Sequence, residues 1–242
     1  MRLWINLACG DEDYLTYLRI IELDMKAFLR LMRQRKKSVV RAVLYQVFLR
    51  CARHVHLAIC RVVFRIQCFW TQIEVGPKVR VFGVPVIMAA YGNIKIEEGV
   101  KLYSSSYYSI AASLNHRTRL SALTPSGHIR IGRYTAINGC SLTCRSTQIL
   151  IGEYTLFGLN CVVMDFDGHR LWPPEARDVP SVDLDQPVLI GNRVWIGMNC
   201  IILKGSRIGN NSIIAAGSLV KGEIPENCLA AGQPARPLKF FA

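Results

Sequence analysis

The second half of the chain carries an aliphatic or aromatic residue at every sixth position. Written in sixes it reads IGRYTA INGCSL from residue 131, IGEYTL FGLNCV from 151, and IGMNCI ILKGSR IGNNSI IAAGSL from 196. Position one is Ile or Phe, and position five is Ser, Thr or Cys. The recurrent glycines argue against a helix, and the two-residue period of an ordinary strand gives no reason for six.

A period of six is typical of a short strand that ends in a tight corner. Three such units close one triangular coil, which buries its position-one side chains and stacks its backbone hydrogen bonds on the next coil. Position five must be small because it points inward near a corner, and Gly or Asn tolerates the left-handed backbone there. We therefore predict a mainly β protein that contains a parallel β-helix.

The first part of the chain follows a different pattern. Residues 1–72 contain no proline and repeat apolar residues at three and four, which predicts helix. Of the net charge of +13, the stretch from Met25 to Ile73 supplies 11 Lys or Arg and no acid, whereas the rest holds 19 basic and 17 acidic residues. We predict a basic helical segment at 1–72 and a β-helix domain at 73–242, with no nucleic-acid partner because the charge excess is local.

The basic segment is also amphipathic. On a helical wheel one arc is polar and the opposite arc is apolar, and the apolar arc carries Leu44, Phe48, Val55, Ile59, Val62 and Ile66. Two interpretations stay open. Residues 25–70 lie on an anionic membrane surface, or the helix simply caps the next domain or a neighbouring subunit.

Cysteine usage and hydropathy indicate the compartment. Nine cysteines are an odd number, and none has zinc-site spacing, so we expect reduced thiols and no metal. Arginines interrupt the most apolar helical stretch, 39–66, so no membrane-spanning helix is predicted. The expected location is cytoplasmic, with a peripheral position at the inner membrane if the basic helix binds lipid.

The six-residue period breaks between residues 164 and 187, and a regular stack gains nothing from extruding such a loop. Asp165, Asp167 and His169 alternate, so in an extended segment their side chains share one face. A carboxylate beside an imidazole favours a general base. From the spacing alone, a solvated loop histidine is an equal alternative.

The pattern resembles the left-handed parallel β-helix of the hexapeptide-repeat acyltransferases. The branch is that of galactoside and maltose acetyltransferases and of the O-acetyltransferases of surface-polysaccharide synthesis. The resemblance covers residues 75–239, including the C-terminal IPENCLAAGQPARPLK and the histidine that precedes IGNRVWIG. It implies an extended tail at 223–242 and a homotrimer. Arg170 departs from the family, which usually has proline after the histidine.

The resemblance also implies roles for individual residues. His169 would be the base, with Asp165 and Asp167 beside it, and the backbone N–H of Met198 would stabilise the oxyanion. Acetyl-CoA would lie along the positions matching Trp195, Ala216, Arg236 and, displaced by one residue, Lys221. Asn115 and His116 resemble a segment on the acceptor side of the cleft, although His116 could equally serve as a structural hydrogen-bond donor.

These expectations predict an acetyl-CoA-dependent O-acetyltransferase that acts on a sugar hydroxyl in surface-polysaccharide or lipopolysaccharide assembly. Two alternatives remain: an N-acetyltransferase of an amino sugar or antibiotic, and a β-helix scaffold without catalysis. A zinc enzyme of the carbonic-anhydrase type is disfavoured because His116, His128 and His169 lack ligand spacing.

Overall fold

The computed structural model describes residues 37–89, 91–108 and 114–241. Helix α1 spans Lys37–Thr71 and ends where Gln72 adopts a left-handed backbone with φ 53°. The first strand begins two residues later, at Glu74. The chain divides between Val55 and His56 into two compact units. Helix thus gives way to strand at residues 72–74, and the unit that holds the β-helix also includes the last turns of α1.

The strands form three faces of a prism, and strands three apart along the chain are hydrogen-bonded neighbours. Face A contains β1 (Glu74–Val75), β4 (Asn93–Ile96), β7 (His128–Ile131), β10 (Gln148–Ile151), β13 (Val188–Ile190), β16 (Arg207–Ile208) and β19 (Glu223–Ile224). Face B contains β2 (Arg80–Phe82), β5 (Lys101–Tyr103), β8 (Ala136–Asn138), β11 (Leu156–Leu159), β14 (Trp195–Ile196), β17 (Ile213–Ile214), β20 (Cys228–Gly232) and β21 (Ala235–Phe240). Face C contains β3 (Val86–Met88), β6 (Arg119–Ala122), β9 (Ser141–Cys144), β12 (Val162–Met164), β15 (Ile201–Ile202) and β18 (Leu219–Val220).

All neighbouring strands are parallel except β20 and β21. The position-one residues form ladders through the prism axis; on face A, Ile96, Ile131 and Ile151 are paired in register and buried. Each such side chain contributes about 1.5–3 kcal/mol through burial. The predicted left-handed parallel β-helix is confirmed.

The corners follow the predicted chemistry. Position-five residues, including Thr135, Thr155 and Ser212 between faces A and B, are buried. Asn160 and Asn199, on the edge between faces B and C, have φ of 60° and 56°, the left-handed conformation that asparagine tolerates. The repeat therefore determines both the strands and the corners.

Two segments leave the prism. One lies between β5 and β6, on the edge between faces B and C, hereafter the BC edge. The other, residues 165–187, lies between β12 and β13, on the edge between faces C and A, hereafter the CA edge. It contains two short 3-10 helices, Pro174–Ala176 and Val182–Leu184. Because β19 and β20 still continue the prism, the chain turns back only at β21, later than the predicted tail boundary at residue 223.

Candidate functional site

His169 lies on the extruded loop, and its side chain is exposed. Its Nδ1 is 2.9 Å from the carbonyl oxygen of Arg177. Since a carbonyl oxygen only accepts hydrogen bonds, Nδ1 carries the proton and Nε2 is the unprotonated nitrogen of the neutral ring. The local fold thus selects the tautomer in which Nε2 can accept a proton.

Asp165 does not serve as the expected partner of His169. Its fully buried carboxylate accepts the backbone N–H groups of Arg145 at 2.6 Å and Thr147 at 2.9 Å, and the Thr147 hydroxyl at 2.8 Å. Asp167 instead forms an ion pair with Lys204 at 2.6 Å. The expected carboxylate–imidazole pairing is thus corrected: a backbone carbonyl orients the ring, and the two aspartates tie the loop to the prism.

A second buried anchor holds the far end of the loop. The guanidinium Nε of Arg145 donates to Asp185 at 2.9 Å, Nη2 donates to the Ser181 hydroxyl at 3.0 Å, and the group lies 4.6 Å from the Phe166 ring centroid. Burial acts to raise the pKa of Asp185, but hydrogen bonds from Arg145 and Ser146 outweigh it and hold that pKa below its ordinary value. Sequence reasoning missed this anchor because Arg145 and Asp185 are 40 residues apart and neither belongs to a motif.

Met198 and Ala216 occupy equivalent positions on successive coils of the BC edge. Within the described residues, neither backbone N–H has a hydrogen-bond acceptor. On the edge between faces A and B, hereafter the AB edge, two of the equivalent N–H groups are occupied. Glu153 N–H donates to Asn192 Oδ1, and Asn192 N–H donates to Asn210 Oδ1, both at 2.8 Å. Asparagine side chains therefore cover these two corner donors of the AB edge, whereas the N–H groups of Met198 and Ala216 on the BC edge stay open.

Glycines allow these corners to stack closely. A Cβ on Gly158 would lie 2.6 Å from the Met198 nitrogen, and a Cβ on Gly197 would lie 2.4 Å from the Ala216 nitrogen. Both distances are shorter than real Cβ contacts allow, so only glycine fits without backbone movement. A side chain at either position would also crowd the open N–H of the next coil.

Asn115 and His116 lie on the same BC edge. The Asn115 N–H donates to Asn160 Oδ1 at 2.9 Å, which fixes this segment against the coil that precedes Met198. His116 is exposed, with Nδ1 3.1 Å from the Arg117 carbonyl oxygen. The two residues predicted to face the acceptor therefore share an edge with the predicted oxyanion donor.

The residues predicted to bind the acyl donor are divided between two parts of the prism. Trp195 lies on face B and is 55% exposed, and exposed Arg236 lies on β21, which extends face B. Exposed Lys221 follows β18 and so lies on the CA edge, the edge from which the His169 loop leaves. In a single chain the predicted residues therefore fall into two groups on different edges, Trp195, Met198 and Ala216 in one and His169 and Lys221 in the other.

The best-formed grooves of the described residues lie away from the predicted site residues. Two open grooves of about 430 and 610 Å³ run along face A and the adjoining AB edge. Neither groove is lined by His169, Met198 or Trp195. In the part of the chain that the structure describes, no group of three His, Cys, Asp or Glu side chains could hold a metal ion.

Comparison with known proteins agrees with the fold. The family model described as bacterial transferase hexapeptide (six repeats) matches residues 187–222. Galactoside O-acetyltransferase of Lactococcus lactis is 40% identical over 88 residues, which cover 36% of this chain and 41% of that protein. WbbJ of Escherichia coli, whose name assigns it to lipopolysaccharide biosynthesis as an O-acetyl transferase, is 45% identical over 100 residues. These residues cover 39% of this chain and 51% of WbbJ. The chain spans about half the length of the curated relatives it matches.

Among solved structures, one neighbour is AntD, an N-acyltransferase from Bacillus cereus in complex with dTDP and 3-hydroxybutyryl-CoA. It superposes with a TM-score of 0.52 at 21% identity and covers 69% of this chain and 82% of its own. That identity establishes a shared fold. The repeat model and the curated relatives agree with the resemblance seen in the sequence: the chain carries the bacterial transferase hexapeptide repeat and is similar to hexapeptide-repeat acetyltransferases of the galactoside O-acetyltransferase branch.

Proposed function

We propose that this chain transfers an acetyl group from acetyl-CoA to a hydroxyl group of a sugar, with His169 as the general base. The observation that carries this proposal is the hydrogen bond from His169 Nδ1 to the Arg177 carbonyl, which leaves Nε2 as the proton acceptor on an exposed ring. General bases must present an unprotonated nitrogen within reach of the acceptor. The name of the relative WbbJ supports a saccharide of lipopolysaccharide or surface-polysaccharide assembly as acceptor.

The reaction needs no covalent intermediate. His169 Nε2 takes the proton of the acceptor hydroxyl while its oxygen attacks the thioester carbonyl, and the open N–H of Met198 stabilises the resulting oxyanion. The C–S bond then breaks, the thiolate leaves, and the imidazolium returns its proton to the sulfur. A positioned general base increases the rate of such a reaction by roughly 10²–10⁴-fold.

The acyl donor would lie between two copies of the chain. Trp195 offers an apolar surface, the open N–H of Ala216 offers a donor, and Arg236 and Lys221 offer cations for phosphates. Because Lys221 and His169 lie on a different edge from Ala216 and Met198, we propose that a neighbouring copy completes each site within a homotrimer. Neither of the two grooves described above is lined by these residues, which is consistent with a site formed by assembly.

The experiment is transfer from labelled acetyl-CoA to a panel of sugars, amino sugars and nucleotide sugars, with thiol release followed in parallel. Wild type is compared with His169→Ala and His116→Ala. We expect kcat to fall about 10²–10⁴-fold in His169→Ala, with coenzyme A binding, measured separately by calorimetry, unchanged.

Three results would overturn parts of this proposal. Full turnover in His169→Ala removes His169 from the mechanism, and loss only in His116→Ala assigns the base to His116. Acetylation confined to the amines of amino sugars replaces O-transfer with N-transfer. Absence of coenzyme A binding in the wild type favours a scaffold without catalysis.

A further inference from the structure

One face of helix α1 packs on the β-helix. From His56 to Thr71, Cys60 and Phe64 are buried, and the Gln67 side-chain amide donates to the Pro85 carbonyl at 3.2 Å. His56 stacks on Tyr108 with ring centroids 5.6 Å apart. On the helical wheel Phe64 falls between Arg53 and Arg50, in the polar arc, so the helix does not pack on the prism through its apolar arc.

The apolar arc is exposed instead. Its side chains between residues 56 and 71, hereafter the stripe, are all more than half exposed: Ile59, Val62, Ile66, Phe69 and Trp70. Their spacing of three and four places them along one side of the helix, opposite Cys60 and Phe64. In the preceding unit, Leu44, Phe48 and Val55 of the arc that is apolar by sequence are also exposed. A contiguous exposed apolar surface of this kind marks an interaction site.

The charge beside the stripe indicates its partner. Arg61 and Arg65 are exposed next to it, and within the described ranges neither has an acidic partner. No Asp or Glu occurs between Met25 and Ile73. Packing two copies of α1 through their stripes would bring arginines together with no acid to pair them, which disfavours self-association. An anionic surface supplies the missing charge.

We propose that the stripe lies in the interfacial plane of a bilayer, with Arg61 and Arg65 on anionic lipid head groups. Phe69 and Trp70 place aromatic rings at the end of the stripe, and the indole of Trp70 suits the boundary between hydrocarbon and water. No described helix is long and apolar enough to cross a membrane. The helix would therefore lie on the surface and hold the β-helix beside it. This inference goes beyond acetyl transfer and does not depend on it.

The test is flotation of the full chain with two kinds of vesicle, pure phosphatidylcholine and phosphatidylcholine with one-third phosphatidylglycerol. We expect binding to the anionic vesicles, weakened by high salt. Val62→Asn with Ile66→Asn, and separately Arg61→Gln with Arg65→Gln, should each reduce partitioning by about tenfold or more. All four positions are exposed, so the variants should keep the fold, which circular dichroism checks.

Matched controls are exposed residues of the β-helix, Leu123→Asn with Tyr154→Asn for the apolar change and Arg193→Gln with Arg207→Gln for the charge change. These should float like the wild type, and so should His169→Ala, which separates membrane binding from catalysis. Failure of the wild type to float overturns the proposal. Equal binding to both vesicles overturns the role of the arginines. A stripe variant that floats normally but forms smaller oligomers assigns the stripe to a second copy of the chain.

Discussion

Three buried cysteines form one column along the BC edge. Cys161 Sγ donates to the Gly197 carbonyl at 3.1 Å and Cys200 Sγ to the Ala215 carbonyl at 3.2 Å, while Cys140 occupies the coil before them. Hydrogen bonds from thiol to thiol along the column, together with burial, raise the pKa of Cys161 and Cys200 well above the ordinary thiol value. The described cysteines are all free. The buried cysteines at these corners therefore act as small packing residues rather than reactive ones.

Thiol labelling should reveal this difference. Exposed Cys51 should react with iodoacetamide within minutes at pH 8, whereas Cys161 and Cys200 should stay unlabelled in the folded protein, because only the thiolate attacks. Peptide mass spectrometry measures both rates. In guanidinium chloride all three should react alike, which controls for intrinsic reactivity. Rapid labelling of Cys200 without denaturant would contradict the buried column.

Individual residues also mark the limit of sequence reasoning. His169 stands out in the sequence because it is the only histidine in a break of a regular period. Its true orienting group could not be predicted, because an alternating pattern assumes an extended strand, whereas the loop turns through a 3-10 helix and brings the Arg177 carbonyl to the ring. Backbone acceptors carry no sequence signature.

At the scale of the corner, the two edges differ by one side chain. On the AB edge, the side chain of Asn210 accepts the N–H of Asn192 on the preceding coil. On the BC edge, Ala216 leaves the N–H of Met198 open. Ala216→Asn should therefore cover the Met198 N–H as Asn210 covers Asn192, and lower kcat about 10²–10³-fold at saturating acetyl-CoA. Asn210→Ala is the matched control and should leave kcat unchanged. Wild-type kcat in folded Ala216→Asn would exclude Met198 as the oxyanion donor.

The loop anchor makes a prediction about pH. Because the pKa of Asp185 is lowered in the folded state, its pairing with Arg145 stabilises the protein above the unfolded-state pKa, about 4, and this contribution is lost as pH falls through the lowered value. Asp185→Asn should cost about 3 kcal/mol at pH 7, because it leaves the Arg145 charge without a partner. It should also flatten the decline in stability below pH 4.

Urea unfolding between pH 7 and pH 3 measures both effects. Glu153→Gln, which removes an exposed ion pair with Arg133, is the matched control and should cost less than about 1 kcal/mol. An equal loss in the two variants would show that the buried anchor contributes no more than a surface pair.

For the whole molecule, the six-residue period was enough to predict the prism, because every coil repeats the same inward ladder and the same corner. The period says nothing about which edge carries the loop. The edge that carries the loop is set by the corner at which the repeat is interrupted. Here that corner is on the CA edge, which places His169 on the same edge as Lys221 and on a different edge from Met198 and Ala216. The proposed division into two half-sites thus depends on the corner at which the loop is inserted into the regular stack.

A site shared between copies predicts complementation. His169→Ala and Ala216→Asn chains should each be inactive alone, one lacking the base and the other the open oxyanion donor. Co-expressed with different tags and purified through both, mixed trimers would each contain one site with two intact halves, so activity should return to about one third of wild type. Purified homotrimers mixed without subunit exchange are the control and should stay inactive. If the site lies within one chain, every site in the mixed trimers carries a defect and no activity returns.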